Sequence, residues 1–388
     1  MLKLGVVSSF DIMCGNATYA RAIVDGISKF YDVVPIEIPV SLQKKHNSKT
    51  IKKVFDKLEL LDAANLQLEL SLFGPTPKSA TVLIKKLISS NKIKSITMHR
   101  VEEEMPSIIK TLYQSYKING FKNLFNNILM SYVQKKIYKS YKKIITTAYE
   151  KNVVFIVHTK REKMRIIRIH SKARVVVHPI LWPEDIKTKK NIKLDDRFNN
   201  NNKVIGVFGF ISHYKNFLQV VRVAKNENYN LVMAGSTHPT NQSYGKLNDK
   251  NNAALLVSNE LYNGDNRYKS YYICTAPDDD IFLALIENVD LVVIPYLETG
   301  QSGSGIASLA IQYGKKVIFS DTALVAELSC FLNKKPLLFD VNSDASMASA
   351  IKDALQFQNE HEIKFEGYSF STNIKTYINS LSTNEVAI

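Results

Sequence analysis

The chain has 388 residues, 45% of them apolar, which suits one or two substantial cores and, at this length, two domains. Its formal charge is +15, from 51 Lys plus Arg against 36 Asp plus Glu, so its surface attracts anions such as nucleotides, nucleic acid, anionic lipid or phosphorylated carriers. The longest apolar runs, about seven residues, are far short of a bilayer span. "MLKLGVVSSF" lacks the apolar region of a signal peptide, and Cys14, Cys274 and Cys330 are too few and scattered for a disulfide framework or a clustered metal site. A reducing cytoplasm is therefore the expected compartment.

In chain order, residues 3–8 read as a strand, 17–29 as a helix and 31–38 as a second strand. A helix over 78–90 and a strand over 94–99 follow. A long, largely helical, lysine-rich region then runs to about 149 before strands return at 152–158 and 173–178. The polar, charged segment 184–203 is the best linker. A second alternation carries strands at 204–210, 229–235, 271–276, 289–296 and 315–321. The acidic run Asp278–Asp280 reads as a helix start. The end, 365–383, reads as a helix that crosses back onto the first domain. Apolar runs alternating with helix-length segments predict doubly wound parallel sheets. Two such α/β domains facing a cleft, 1–185 with 368–388 and 200–367, suit a ligand at the carboxyl ends of their strands.

The stretch "QSGSG", 301–305, lies between the strand expected at 289–296 and a helix expected at 306–313. Gly303 and Gly305 allow close backbone approach, while Ser302 and Ser304 cap the helix or donate hydroxyls. The first helix amides lack intrahelical acceptors, so the loop reads either as a diphosphate cradle or as a plain capped turn. A second strand-to-helix loop holds Gly15, Asn16 and Thr18. Neither G-x-G-x-x-G nor G-x-x-x-x-G-K-[ST] occurs there, which weighs against ordinary nicotinamide and ATP-hydrolysis readings.

With these residues in view, the chain resembles, over nearly its whole length, the retaining glycosyltransferases of family 4, which have the two-domain GT-B fold. The strongest part is "PYLETGQSGSGIASLAIQYGKKVIFSDTALVAEL" (295–328), which looks like the family's donor-binding region. "GVFGFISHYKNF" (206–217) looks like the strand and loop ending in a diphosphate-binding Lys–Gly pair, here Lys215 and Asn216. "CGNATYAR" (14–21) resembles the N-terminal glycine loop, "ANLQLELSLFG" (64–74) a strand-end Q-x-E segment, and "ITMHR" (96–100) the strand that carries the active-site His. Three positions depart from the pattern: Gln301 and Leu309 stand at the two glutamates of the donor signature, and Phe210 stands where many relatives have an Arg.

The resemblance implies that His99 acts at the anomeric centre and that Lys215 neutralises the diphosphate. A carboxylate would come from Glu298, which has no secure counterpart in the family, or from Glu327, which matches a glutamate often seen after the following strand. It implies a donor-binding set of Gly15, Asn16, Gly209, Ser212, Lys215, Gly235, Gln301, Ser302, Gly303, Ser304, Gly305, Ile306 and Glu327. Thr18, Gln67, Glu69 and His158 would meet the acceptor. The donor would be a nucleotide-diphosphate sugar, with no separate cofactor. No local spacing of His, Cys or carboxylates supports a metal. A nucleotide-sugar epimerase and a non-catalytic nucleotide-sugar binder are the alternatives.

From Met105 to Tyr149 there are eight lysines and no acidic side chain. Lys135, Lys139 and Lys142 or Lys143 share one helical face, and Val133, Ile137 and Ile144 another. This pattern suits either docking on an anionic membrane that carries a glycan or lipid-linked acceptor, or a solvated helix with its apolar side in the core. A nucleic-acid partner is not expected, because no reader motif accompanies the lysines.

Overall fold

The computed structural model describes residues 2–12, 15–102, 124–184, 194, 198, 202–236, 252–262, 271–275, 278–300, 303–356 and 362–382. The chain divides into two units, Met1–His178 with Ser371–Ile388, and Pro179–Phe370.

The first unit runs β1 (Lys3–Ser8), α1 (Gly15–Ser28), β2 (Asp32–Glu37), α2 (Ser41–Lys44), α3 (Ser48–Glu59) and β3 (Ala63–Leu68). After a short turn at Leu70–Phe73 come α4 (Pro77–Ser89), β4 (Ile93–Met98), α5 (Leu124–Glu150), β5 (Val154–Val157), α6 (Lys160–Ile169) and β6 (Val175–Val177). All its strands pair in parallel, in the order β2-β1-β3-β4-β5-β6. Helices cover such a sheet on both faces, so β3 and β5 are buried at every residue.

The second unit runs β7 (Val204–Phe208), a short turn at His213–Lys215, α7 (Phe217–Asn226), β8 (Asn230–Ala234), α8 (Ala253–Tyr262), β9 (Tyr271–Cys274) and α9 (Asp279–Glu287). It continues with β10 (Leu291–Ile294), α10 (Gly305–Gln312), β11 (Lys316–Ser320), α11 (Ala323–Ser329), β12 (Leu337–Phe339) and α12 (Asp344–Gln356). Its parallel order is β12-β11-β10-β7-β8-β9. The final helix, α13 (Phe370–Leu381), returns to the first unit, where Tyr377 is fully buried and its hydroxyl accepts from Thr97 Oγ1 at 3.2 Å.

Local chemistry places the helix starts. Thr76 and Ser79 form a capping box with Pro77 at the first helical position of α4. Asp278 caps α9 by accepting from Ile281 N, and Asp279 and Asp280 fill its first turn, as the acidic run suggested. The structure also holds elements that the sequence reading passed over, including α3, α8, α11, α12 and β12. α3 buries only Val54 and Leu58 on a lysine-rich helix, and β12 is three residues long, so neither carries much apolar signal. The 184–203 linker lies largely outside the described residues, as do the residues between 102 and 124.

Each sheet has one place where the chain reverses its direction of winding. In the first it falls between β1 and β3, and in the second between β7 and β10. Loops leaving the carboxyl ends of those paired strands diverge to opposite faces and leave a crevice.

Candidate functional site

In the second unit, the loops after β7 and β10 flank this switch point. Leu297 N donates to Tyr214 O at 2.7 Å and stitches the two loops together. Gly209 follows β7 with φ +106°, and Lys215 Nζ occupies the space a Cβ there would need. A Cβ on Gly235, after β8, would run into Gly209 O. These two glycines therefore open the place that Lys215 fills. Asn216 sits in the left-handed region at φ 50° and ψ 37°. That conformation explains the resemblance's Lys–Gly pair: glycine fits it freely, and Asn is the side chain that tolerates it best.

Lys215 is 7% exposed. Its ammonium lies 5.5 Å from the centre of the Tyr296 ring and has no carboxylate or other hydrogen-bond partner among the described residues. Burial pushes its pKa down. Burial also lifts the Tyr296 phenol to about 12, so Tyr296 stays neutral. Tyr296 OH is 3.3 Å from Ser304 Oγ, which caps α10 by accepting from Ala307 N at 3.2 Å. The loop thus presents a buried cation on one side and a capped helix start on the other. Ile306 lies in the first turn of that helix, and its side chain is near Gly209.

Other donor-set residues fall around this place with different local duties. Gly305 lies against Trp182, whose Nε1–H donates to Gly305 O at 2.9 Å. Gln312 then brackets the Trp182 backbone through both amide atoms, at 2.8 and 2.9 Å. Gly305 therefore accommodates an indole of its own unit, and its backbone faces protein where a ligand approach was expected. Glu298 accepts from Gly300 N at 2.8 Å, within the loop, and from Ala323 N at 2.7 Å, so one oxygen shapes the loop and the other braces it to the start of α11. Ser212 precedes the His213–Lys215 turn, Glu327 lies on α11 half-buried, and Gly303 precedes the helix cap. Leu309 is 5% exposed and belongs to the core. Gln301 and Ser302 lie outside the described residues.

In the first unit, the carboxyl ends of β3, β4 and β5 carry a polar and aromatic layer. His99 and His158 have ring centroids 5.5 Å apart, and Tyr19 meets both edge-on at 6.2 and 5.8 Å. His178 joins at 5.4 Å from His158 and 5.5 Å from Tyr377. Burial holds the His99 pKa down to about 4, and burial together with His178 and His99 pushes His158 well below the usual range. Both rings are neutral at physiological pH. His158 Nδ1 donates to His178 O at 3.2 Å, because a carbonyl can only accept. The buried His158 Nε2 is therefore a lone pair, and it has no partner among the described residues.

Gln67, expected to meet an acceptor, is 1% exposed and bonded to Asn65, Thr97 and His99. Glu69 follows it at the strand end with its pKa raised by burial, against the opposing pull of Arg100. Gly15 opens α1 with nothing within 4 Å of an added Cβ, Asn16 follows half-buried, and Thr18 Oγ1 accepts from Arg21 at 3.2 Å. Tyr19, Asn65, Thr97, Tyr377 and Trp182 were all missed in sequence. Only Trp182, the single tryptophan, offered a visible signal. No group of three or more His, Cys, Asp or Glu among the described residues is arranged to hold a metal ion.

No family model matches the chain, and no curated protein matches it. Solved structures do match. Sucrose-phosphate synthase from Thermosynechococcus elongatus is 12% identical, with a TM-score of 0.58 over 98% of this chain and 95% of that one. An α,α-trehalose-phosphate synthase (UDP-forming) from Burkholderia xenovorans, in complex with glucose-6-phosphate, gives 9%, 0.60, 98% and 96%. Anabaena Alr3699/HepE in complex with UDP-glucose gives 14%, 0.56, 98% and 100%. These likenesses run the length of both chains and include both sheets. The chain has the GT-B fold. Within this GT-B chain the second sheet's order, β9-β8-β7-β10-β11-β12, is the dinucleotide-binding type of doubly wound sheet, and the first sheet's order is the flavodoxin-like type.

Proposed function

We propose that this chain is a glycosyltransferase, of the retaining family 4 type, that moves a sugar from a nucleotide-diphosphate sugar to a hydroxyl of a glycan or lipid-linked acceptor in surface-polysaccharide synthesis. The observation that carries this reading is Lys215, a buried ammonium at a switch point with no counter-charge among the described residues. An unpaired buried cation is costly, and a bound diphosphate offsets that cost. The nearby start of α10 adds amides that favour an anion, and the solved structures of Anabaena Alr3699/HepE with UDP and UDP-glucose support a sugar nucleotide as the ligand class.

In the proposed reaction, the bond between the anomeric carbon and the diphosphate breaks as the acceptor oxygen bonds to that carbon. Lys215 and the helix amides stabilise the departing diphosphate, which takes the acceptor's proton. Neutral His99 and His158 interact with sugar hydroxyls. Glu298 contributes through loop structure, given its two backbone bonds. No separate cofactor enters this scheme.

The acceptor class follows from a basic face. Lys135, Lys136, Lys139, Lys142 and Lys143 are exposed on α5, and Lys78, Lys85 and Lys86 on α4, which packs against it. Tyr132, Val133 and Val82 are exposed among them, and neither α4 nor the α5 residues before Glu150 carry an acid. This composition suits an anionic membrane surface from the cytoplasmic side, without nucleic acid. No described helix is long and apolar enough to cross a membrane.

The test is a donor screen with extracted lipid acceptors. Transfer of labelled sugar supports the reading; interconversion of the nucleotide sugar without transfer means an epimerase, and binding without either means a carrier. Changing Lys135, Lys139 and Lys142 to Gln lowers partition onto anionic liposomes by roughly 100-fold, at about 1 kcal/mol per lysine. Unchanged partition removes the membrane from the proposal.

A further inference from the structure

A line of buried polar side chains crosses the face of the first sheet from α13 to His99. Ser380 Oγ lies 2.7 Å from Tyr377 O and 2.9 Å from Ser95 Oγ. Asn65 Nδ2 reaches Ser95 Oγ at 2.8 Å, and Gln67 Nε2 reaches Asn65 Oδ1 at 2.7 Å and Thr97 Oγ1 at 3.1 Å. His99 Nε2 lies 2.9 Å from Gln67 Oε1. Asn65, Gln67, Ser95 and Thr97 are each at most 1% exposed, so they bond to one another and to Ser380, Tyr377 and His99 and not to solvent.

The hydrogen bonds themselves give the line its direction. Ser380 Oγ donates toward both Tyr377 O and Ser95 Oγ. Ser95 Oγ also accepts from Asn65 Nδ2, and Asn65 Oδ1 accepts from Gln67 Nε2. Gln67 Oε1 is thereby turned to His99, and the ring must supply the hydrogen. Reversing either amide alone would set donor against donor or acceptor against acceptor inside the core, at about 1–3 kcal/mol for each group left unmatched.

We propose that Gln67 is a positioning residue that, through this polarised line, holds His99 as its Nε2–H tautomer, so that Nδ1 is the ring atom that accepts. His99 then accepts a hydrogen bond from a hydroxyl and does not address an anion. His158 is fixed in the opposite tautomer, Nδ1–H, by His178 O. The two rings are thus locked from opposite sides, each with a lone pair on its other nitrogen. The step from tautomer to substrate hydroxyl rests on the transfer reading above; the tautomer itself does not.

The test is ring-nitrogen NMR on the full chain labelled at histidine, without donor, with His99 assigned by loss of its signal in His99→Ala. The expected result is a single Nε2–H signature for His99 at neutral pH. A wild-type His99 protonated on Nδ1 overturns the proposal, with no variant needed. Gln67→Met should give mixed or inverted tautomers and lower turnover by about 10- to 100-fold at unchanged donor KM, the scale of lost outer partners of functional histidines. Gln67→Glu, which still accepts from Nε2–H, should restore the single signature. A Gln67→Met variant that keeps the wild-type signature also overturns the proposal. If wild type and variants behave as expected but no donor is ever turned over, the transfer reading falls and the tautomer lock stands.

Discussion

The polar centres of the two units solve opposite problems. In the first, every side chain along the line from Ser380 to Gln67 is buried and matched, and His99 and His158 are kept neutral. In the second, the central group is a buried ammonium that no described residue matches. A satisfied network fixes orientation and is finished when the chain folds. An unmatched charge is finished only when something anionic arrives. Under the proposed function, the first unit selects by hydrogen-bond direction and the second by charge.

The sharpest way to break this contrast is Lys215→Met. Donor turnover should fall by about 100- to 1000-fold, the range seen when one electrostatic stabiliser is removed. The ligand-free protein should become more stable by ~1–2 kcal/mol, because a lone buried charge is replaced by an apolar chain of similar size. Steady-state kinetics and thermal melts read the two effects separately. A loss of stability would mean that Lys215 has a folded-state partner and that the centres are alike.

Asn65→Leu probes the other side. It orphans Gln67 and Ser95 in the core and should cost about 2–4 kcal/mol in chemical denaturation. A change below about 0.5 kcal/mol, the scale of neutral surface changes, would show that the layer contributes no matched bonds.

Trp182→Phe keeps most of the ring against Gly305 but removes the bond to its carbonyl, for about 1 kcal/mol. As the only tryptophan, Trp182 should also change its fluorescence when a sugar nucleotide settles at the start of α10. A titration with no spectral change would place the ligand elsewhere.

The smallest effect is in pH. Glu37 accepts from Phe10 N at 2.7 Å, and its pKa is raised to about 7, mostly by burial, with Asp11 adding to the rise and Lys57 opposing it. Its folded value lies above the ordinary 4.5, so its contribution is fully present below about pH 4.5 and is lost as pH rises through about 7. His99 runs the other way: its folded value of about 4 lies below 6.5, so its contribution is present above about pH 6.5 and is lost as pH falls toward 4. Stability measured from about pH 4 to about pH 8 in Glu37→Gln should lack the decline that Glu37 adds to wild type between about pH 4.5 and about pH 7. An identical slope in both would acquit Glu37.

Much of the scaffold was legible. The runs at 204–210, 229–235, 271–276, 289–296 and 315–321 contain β7, β8, β9, β10 and β11, because strands of a covered parallel sheet are apolar on both faces. The loop between β10 and α10 was legible too, since Ser304 is a capping residue ahead of an apolar helix. The duties of individual residues within that loop were not. Gly305 reads in sequence as room for a ligand, and in the fold it is room for Trp182, 123 residues earlier in the chain. Glu298 reads as a stray carboxylate, and in the fold it braces the start of α11. Gln67 reads as a strand-end contact for substrate, and its burial makes it a link.

By itself, the sequence determined where strands and helices alternate, which strand ends carry lysine, histidine and glycine, and that the chain is basic. These follow from short-range periodicity, capping chemistry and composition, all of which operate within a few residues. Only the tertiary structure decided that Lys215 is buried without a counter-charge among the described residues, that Trp182 holds the start of α10, and that a serine 285 residues from Ser95 joins the polar layer beneath His99. Desolvation and hydrogen matching depend on neighbours that come together only when distant segments pack.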